Sequence, residues 1–347
     1  MSSNSVSLPF ELERPIVGAP MAGGPSTPEL VAAVSTAGGL GFLAGGYKSP
    51  QQLADQITAT RARTRGPIGV NLFVVAANDV DENELETYRQ ELQQYADRYG
   101  VDVGEPIWDD DALRGKLDVV RDLRPDVVSF TFDCPDADVL HELNALGIHT
   151  AVTVTTADEA LTAADRGARF LIVQGPDAGG HRATFDPAAE PGIEPLPEVI
   201  GAIRNAVDLP LIAGGGISTR DQVRAILETG AAAVQVGTAL LLADEAGTNR
   251  AHRSALQDPA FTETKVTRAF TGRPARGLRN RFMDRHDPGS HAYPQIHSMT
   301  APIRAAAAAN NDLQALHLWA GTGYRATRTG PAADIVADLA PLGASGP

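Results

Sequence analysis

Short apolar, β-branched runs alternate with longer amphipathic stretches along the first 240 residues of the chain. The runs predict eight strands, at 15–19, 39–44, 68–73, 127–132, 150–155, 169–174, 210–214 and 232–237. They are apolar without alternation, as expected of parallel strands covered on both faces. Helical periodicity fills the gaps at 27–37, 50–64, 82–98, 110–123, 136–146, 157–166, 195–206 and 219–229. Several starts carry plain caps: Ser26-Thr27 before Pro28-Glu29, Thr156 before Asp158-Glu159, Ser218-Thr219 before Arg220-Asp221. Gly147, Gly167 and Gly230 stand where a left-handed C-cap is needed. Eight β–α units in series predict an α/β fold, a (β/α)8 TIM barrel; an open doubly wound sheet is the structural alternative.

The barrel is expected over 1–245, with a helical excursion near 80–125. Within the excursion, Asp109-Asp110-Asp111 reads as the solvated start of a helix. Beyond about residue 240 the strand pattern stops. Helices are expected at 239–257 and 300–320, separated by an Arg/Pro/Gly-rich stretch at 267–297. Residues 246–347 are therefore expected to form a helical cap over the barrel mouth, within the same structural unit.

Composition narrows the partners. The 347 residues are 43% hydrophobic and 21% charged, an ordinary globular balance. A net charge of −14 leaves no basic footprint for nucleic acid or an anionic membrane. It does not exclude an anionic small molecule, because backbone N–H groups and helix N-termini hold phosphate without net positive charge. The single cysteine, Cys134, permits no intrachain disulfide and reads as a packed thiol. The first ten residues lack the pattern of a secretory leader, and no apolar run approaches the roughly 18 residues of a membrane span. A soluble cytoplasmic protein is expected, with a small-molecule substrate; the sequence assigns no oligomeric state.

The candidate chemistry gathers at strand ends. The segment VQGPDAGGHR, residues 173–182, ends an apolar run in Gln174, a turn, Gly179-Gly180 and His181. Glycines admit close approach of a ligand, and histidine titrates near neutral pH. Taken alone, the segment reads equally well as a strand-to-helix loop with a surface histidine. The seventh strand ends in Gly214-Gly215-Gly216 before the Ser218-Thr219 cap, and the eighth, which carries Gln235 and Val236, ends in Gly237-Thr238. Two such turns on adjacent strands suit a phosphate group. Asn71 and Gln174 would point amides into the mouth, where each donates and accepts.

Other chemistries thin out. GLGFLA at 39–44 and GTGYRA at 321–326 both fit G-x-G-x-x-G/A, but neither lies between a strand and a helix, so neither is a dinucleotide fingerprint. Lys48, Lys116 and Lys265 stand away from strand ends, which argues against Schiff-base chemistry. His286, His291, His297 and His317 lack metal-ligand spacing, and no metal is expected.

Together, APMAGG (19–24), AGGLGFLAGG (37–46), GVNLF (69–73), VQGPDAGGHR, AGGGIS (213–218), QVGTALL (235–241), HSMTAPIR (297–304) and WAGTGYR (319–325) make the chain resemble the nitronate monooxygenase family. The resemblance spans nearly the whole barrel and its cap. It implies an FMN cofactor contacted by Asn71, Gln174, Gly179, Gly215, Gly216, Gln235, Val236, Gly237 and Thr238. Met21 and Ala22 would lie against the flavin ring, and His181 would be the catalytic histidine. It implies oxidation of alkyl nitronates by O2 to carbonyl compounds and nitrite. The alternatives are an FMN-dependent NAD(P)H reductase of quinones or enoyl thioesters and, in another class, a non-redox barrel for a phosphorylated metabolite. Two positions depart from many relatives: Ala183 follows His-Arg where glycine is common, and Thr131 stands where some carry histidine.

Overall fold

The predicted alternation closes into a barrel of eight parallel strands in the computed structural model, which describes residues 7–77 and 79–341. The strands are β1 (Ile16–Gly18), β2 (Leu40–Ala44), β3 (Ile68–Phe73), β4 (Val127–Thr131), β5 (His149–Val154), β6 (Phe170–Gln174), β8 (Leu211–Gly214) and β9 (Ala233–Val236). The ring closes through β1, where Val17 pairs with Leu40 of β2 and Gln235 of β9. Every residue of β3 is buried, which accounts for its unbroken apolar character. Inside the barrel Val17, Phe42, Phe170 and Ile212 share one cluster. Leu8, Phe10 and Leu12, just ahead of β1, plug its N-terminal end, with the Phe10 ring edge-on to Phe170 at 5.7 Å.

The outer helices are α1 (Pro28–Thr36), α2 (Pro50–Arg61), α4 (Leu113–Leu123), α5 (Ala137–Ala145), α6 (Ala157–Asp165), α7 (Leu196–Ala206) and α8 (Arg220–Glu228). Thr27, Thr156 and Thr219 cap their helices as expected, and Ser49 and Thr219 each form a full capping box. The eighth helix is unexpected. α12 (Ala332–Leu339) returns from the cap and buries Ile335, Val336 and Leu339 in the barrel's own core. The stretch after 245 is therefore not all cap; its end completes the helical ring.

The cap is also built from two places. α3 (Glu82–Tyr99), in the excursion after β3, packs with α9 (Arg250–Gln257), α10 (Arg281–Arg285) and α11 (Gln295–Ala309). Tyr88, Leu92, Phe270, Phe282, Ile296 and Met299 share this second core. The single helices expected at 239–257 and 300–320 are both shorter. Asn249 caps α9 after a bend, and α11 starts at Gln295, runs through Pro302 and ends at Ala309. Strands exist where none was expected: β10 (Thr264–Thr267), β11 (Ala275–Leu278) and the two-residue β7 (Gly180–His181) form an antiparallel sheet at the mouth.

The acidic triplet is not simply solvated. The Asp111 carboxylate pairs with Lys116 Nζ at 2.6 Å, and the Lys116 side chain is fully buried. Its other oxygen accepts from the Tyr47 amide at 2.8 Å, tying the β2 loop to α4. Cys134 is buried in the barrel core, and burial pushes its thiol up to about 11. No helix among the described residues is long and apolar enough to cross a membrane. No group of three or more His, Cys, Asp or Glu among them could hold a metal ion.

Candidate active site

A cavity opens at the carboxyl ends of the barrel strands, under the cap. Met21, Ala22, Asn71, Gln174, Gly179, His181, Gly215, Gly216, Gln235, Val236, Gly237 and Thr238 all line it. So do residues that strand-end reasoning did not reach: Tyr47, Thr153, Asn249, His252, His317, Gly321 and Gly323. Trp319 joins them. The GTG of 321–323 is thus no dinucleotide fingerprint but still part of the site. The amide of Gly321 donates to Thr238 Oγ1 at 2.9 Å.

One end of the cavity is a cradle of backbone. Gly215 and Gly216 have φ of 131° and 71°, values that favour glycine. The N–H groups of Gly215, Gly216 and Gly237 have no acceptor among the described residues. A Cβ on Gly216 would stand 2.7 Å from Asp177 Cβ and 2.9 Å from Thr322 Oγ1. A Cβ on Gly179 would meet the Gly321 nitrogen at 2.5 Å. At the other end, Asn71 Oδ1 accepts from Ser129 at 2.8 Å and Thr131 at 2.9 Å, which leaves the Asn71 NH2 group as its donor toward the cavity. The Thr131 departure therefore orients Asn71. Gln235 Oε1 is buried without a partner.

Gln174 holds the histidine loop. Its Nε2 donates to the His181 carbonyl at 3.0 Å and its Oε1 accepts from the Ala183 amide at 3.0 Å. On the other side β11 pairs Ala275 with His181, and the Arg182 amide donates to Pro274 at 2.7 Å. The backbone of His181 is clamped from both sides. Its ring is edge-on to Phe132 at 5.6 Å and Tyr293 at 5.8 Å, and tilted against Trp319 at 5.7 Å. Phe132 holds φ at 84°, real strain for a bulky residue at the mouth.

Two buried arginines set the charge of the site. Arg273 lies over the Phe132 ring, 4.1 Å from its centroid, and donates to the Thr184 carbonyl. Arg304 donates to Thr300 Oγ1 at 3.0 Å and to the His297 carbonyl at 2.9 Å. Neither forms an ion pair among the described residues. Burial, then Arg273 and Arg304, push His181 down to about 3. His181 still borders the cavity; the surrounding rings and cations keep it neutral.

Arg304 also reaches His297 Nδ1 at 3.3 Å and His317 Nε2 at 3.4 Å. A guanidinium only donates, so both nitrogens carry lone pairs and both rings are neutral. Burial and then Arg304 push His297 down to about 2 and His317 well below its ordinary value. Burial likewise lowers His252 to about 4. His297 and His317, which lack metal-ligand spacing in the sequence, belong to the buried electrostatics of the mouth. His297 also stacks on Tyr47 at 4.3 Å.

The family model described as nitronate monooxygenase matches residues 7–341. A probable nitronate monooxygenase of Staphylococcus aureus (strain Newman) is 33% identical, over 97% of this chain and 96% of that protein. The solved nitroalkane oxidase of Streptomyces ansochromogenes superposes with a TM-score of 0.91 at 44% identity, covering 94% of this chain and 95% of its own. FabK of Thermotoga maritima superposes at 0.72 with 24% identity over 94% of this chain and 92% of its own, a likeness of fold alone. The chain belongs to the nitronate monooxygenase family and is an oxidoreductase enzyme.

Proposed function

We propose that the protein is an FMN-dependent enzyme that oxidises alkyl nitronates, and nitroalkanes through their nitronates, to carbonyl compounds and nitrite with O2. The single observation that carries the reading is a neutral, clamped His181 in the same cavity as a glycine cradle rich in unused N–H groups.

The donor set fits FMN. The N–H groups of Gly215, Gly216 and Gly237 suit a phosphate dianion, and the Thr238 hydroxyl, whose oxygen already accepts from Gly321, has its proton left to give. Asn71 NH2 and the unpartnered Gln235 Oε1 offer a donor and an acceptor to a flat heterocycle, with Met21 and Ala22 as apolar wall. Gln174 supports the site mainly through the His181 loop, with one amide hydrogen left over. The cofactor supplies the redox chemistry when bound.

The protein's own residues bind and orient an anion and move one proton. His181, neutral, takes the proton from the carbon bearing the nitro group of a neutral nitroalkane. Arg273 and Arg304 hold positive charge near the nitronate that results. A preformed nitronate needs no proton removed and uses only the binding groups. The test is His181→Asn with nitrite release as the readout. Turnover of neutral nitroalkane should fall about 10²–10⁴-fold, while preformed nitronate is still consumed. Equal loss on both substrates would remove the base assignment. A wild-type enzyme that releases no nitrite from any alkyl nitronate would remove the whole reading.

A further inference from the structure

The hydrogen bonds around Thr271 decide which nitrogen of His181 carries its proton. Thr271 and Arg273 flank Gly272, whose φ of 82° turns the chain tightly and folds the threonine hydroxyl back on its own backbone. Both flanking residues are buried. Three groups converge on Thr271 Oγ1: the Arg273 carbonyl at 3.2 Å, the Arg273 amide at 3.4 Å and His181 Nε2 at 3.0 Å. A hydroxyl has one proton and two lone pairs.

The Arg273 carbonyl has no other donor among the described residues. A buried carbonyl left without a donor is costly, so the hydroxyl proton belongs there. The oxygen then accepts from the Arg273 amide and from His181, and Nε2 must be the N–H. A neutral imidazole has only one, so Nδ1 keeps its lone pair. Nδ1 has no partner among the described residues, and the ring lines the cavity.

We propose that Thr271 is a positioning residue that holds His181 in its Nε2–H tautomer and leaves the Nδ1 lone pair to take the substrate proton. The inference rests on His181 acting as base. In that step the C–H bond beside the nitro group breaks and its proton bonds to Nδ1. The electron pair of the bond moves into the nitro group, giving a nitronate anion and an imidazolium. The imidazolium still donates from Nε2 to Thr271, so nothing in the network has to reverse.

The test compares wild type, Thr271→Val and Thr271→Ser, each as the purified holoenzyme. Valine keeps the shape and removes the hydroxyl; serine returns it. Nitrogen-15 NMR of histidine-labelled protein should read Nε2–H for His181 in wild type and in the serine variant, and a mixture in the valine variant. Turnover of 1-nitropropane should fall about tenfold or more with valine and recover to within about threefold with serine, while turnover of propane nitronate changes less than about threefold. An Nδ1–H tautomer in wild type, equal losses on both substrates, or failure of serine to restore would overturn the proposal. Because the NMR readout needs no turnover, the wild-type spectrum decides the tautomer even if the valine variant fails to fold. A His181→Asn enzyme that still deprotonates 1-nitropropane would overturn the base reading separately.

Discussion

The neutral histidines make the fold sensitive to mild acid by an amount the structure sets. His181, His252, His297 and His317 are pushed, in that order, to about 3, to about 4, to about 2 and well below the ordinary histidine value, by burial first and, except at His252, by neighbouring cations next. Unfolded histidine titrates near 6.5, so below neutrality the unfolded chain binds more protons than the folded one. A folded pKa below the unfolded one means stability that is whole above about pH 7 and falls as pH falls toward the folded values. At pH 5.5 each unfolded histidine is about nine-tenths protonated, and each that stays neutral in the fold costs about 1.4 kcal/mol relative to pH 7.5. His181, His252 and His297 together cost about 4 kcal/mol, and His317 adds in the same direction, a large part of the roughly 5–15 kcal/mol that holds a typical domain. The figure does not depend on how far below pH 5 each folded value lies. Asp111, whose carboxyl burial raises, works in the opposite direction at lower pH. Urea denaturation at pH 7.5 and 5.5, at equal ionic strength, measures the difference. Stabilities within about 1 kcal/mol of each other would mean that these rings are protonated in the fold, and the account of the site's electrostatics would be wrong.

Two further substitutions probe the cradle and the excursion. Gly216→Ala places a side chain at a φ of 71° and a Cβ 2.7 Å from Asp177; FMN affinity, read by quenching of flavin fluorescence, should weaken about tenfold or more. Unchanged affinity would mean that the 215–216 turn does not hold the phosphate. Lys116→Met strands the Asp111 carboxylate in a poorly solvated place; it should cost about 3–5 kcal/mol in chemical denaturation, with most recovered on adding Asp111→Asn. No recovery in the double variant would show that the loss is one of packing.

Periodicity made the barrel legible. The strand expected at 68–73 is Ile68–Phe73, and the other seven differ from their expected bounds by a residue or so at either end, because parallel strands covered on both faces leave unbroken apolar runs. The glycine turns after β8 and β9 and the segment ending at His181 were legible because strand ends in such a barrel converge on one mouth. The sheet of β7, β10 and β11 was not. Its strands are four residues or fewer, and Gly180-His181 becomes a strand only because Ala275 and Arg276 come to pair with it. The same holds for Thr271, Arg273 and Arg304, which stand roughly 90 residues or more along the chain from His181 and reach it through tertiary packing. α12 was missed for a related reason: its apolar face makes sense only as the missing eighth helix of the ring. Asp111 read as solvated because local sequence gave no hint of a buried lysine five residues on.

A histidine held near 3 looks too weak to take a proton from carbon, but the same arrangement acts on both partners. Burial lowers His181 most, and Arg273 and Arg304 lower it further because a positive field disfavours another cation beside it. That field equally favours the nitronate anion, so it lowers the pKa of the nitroalkane C–H in the same place. The arginine part of the shift is therefore offset in the proton-transfer balance, whereas the burial part is not, because burial penalises an imidazolium and a nitronate alike. What the field changes is the charge of the protein's own groups: the histidines at the mouth stay neutral, and among the described residues the buried positive charge has no carboxylate in ion-pair contact. An anion entering from solvent supplies the missing counter-charge. Once it is bound, or once the imidazolium–nitronate pair forms, the negative charge beside His181 favours its protonated form. On the function proposed above, the cost of burying the arginines is recovered once an anion is in the site: on binding for a nitronate, and on proton transfer for a bound nitroalkane.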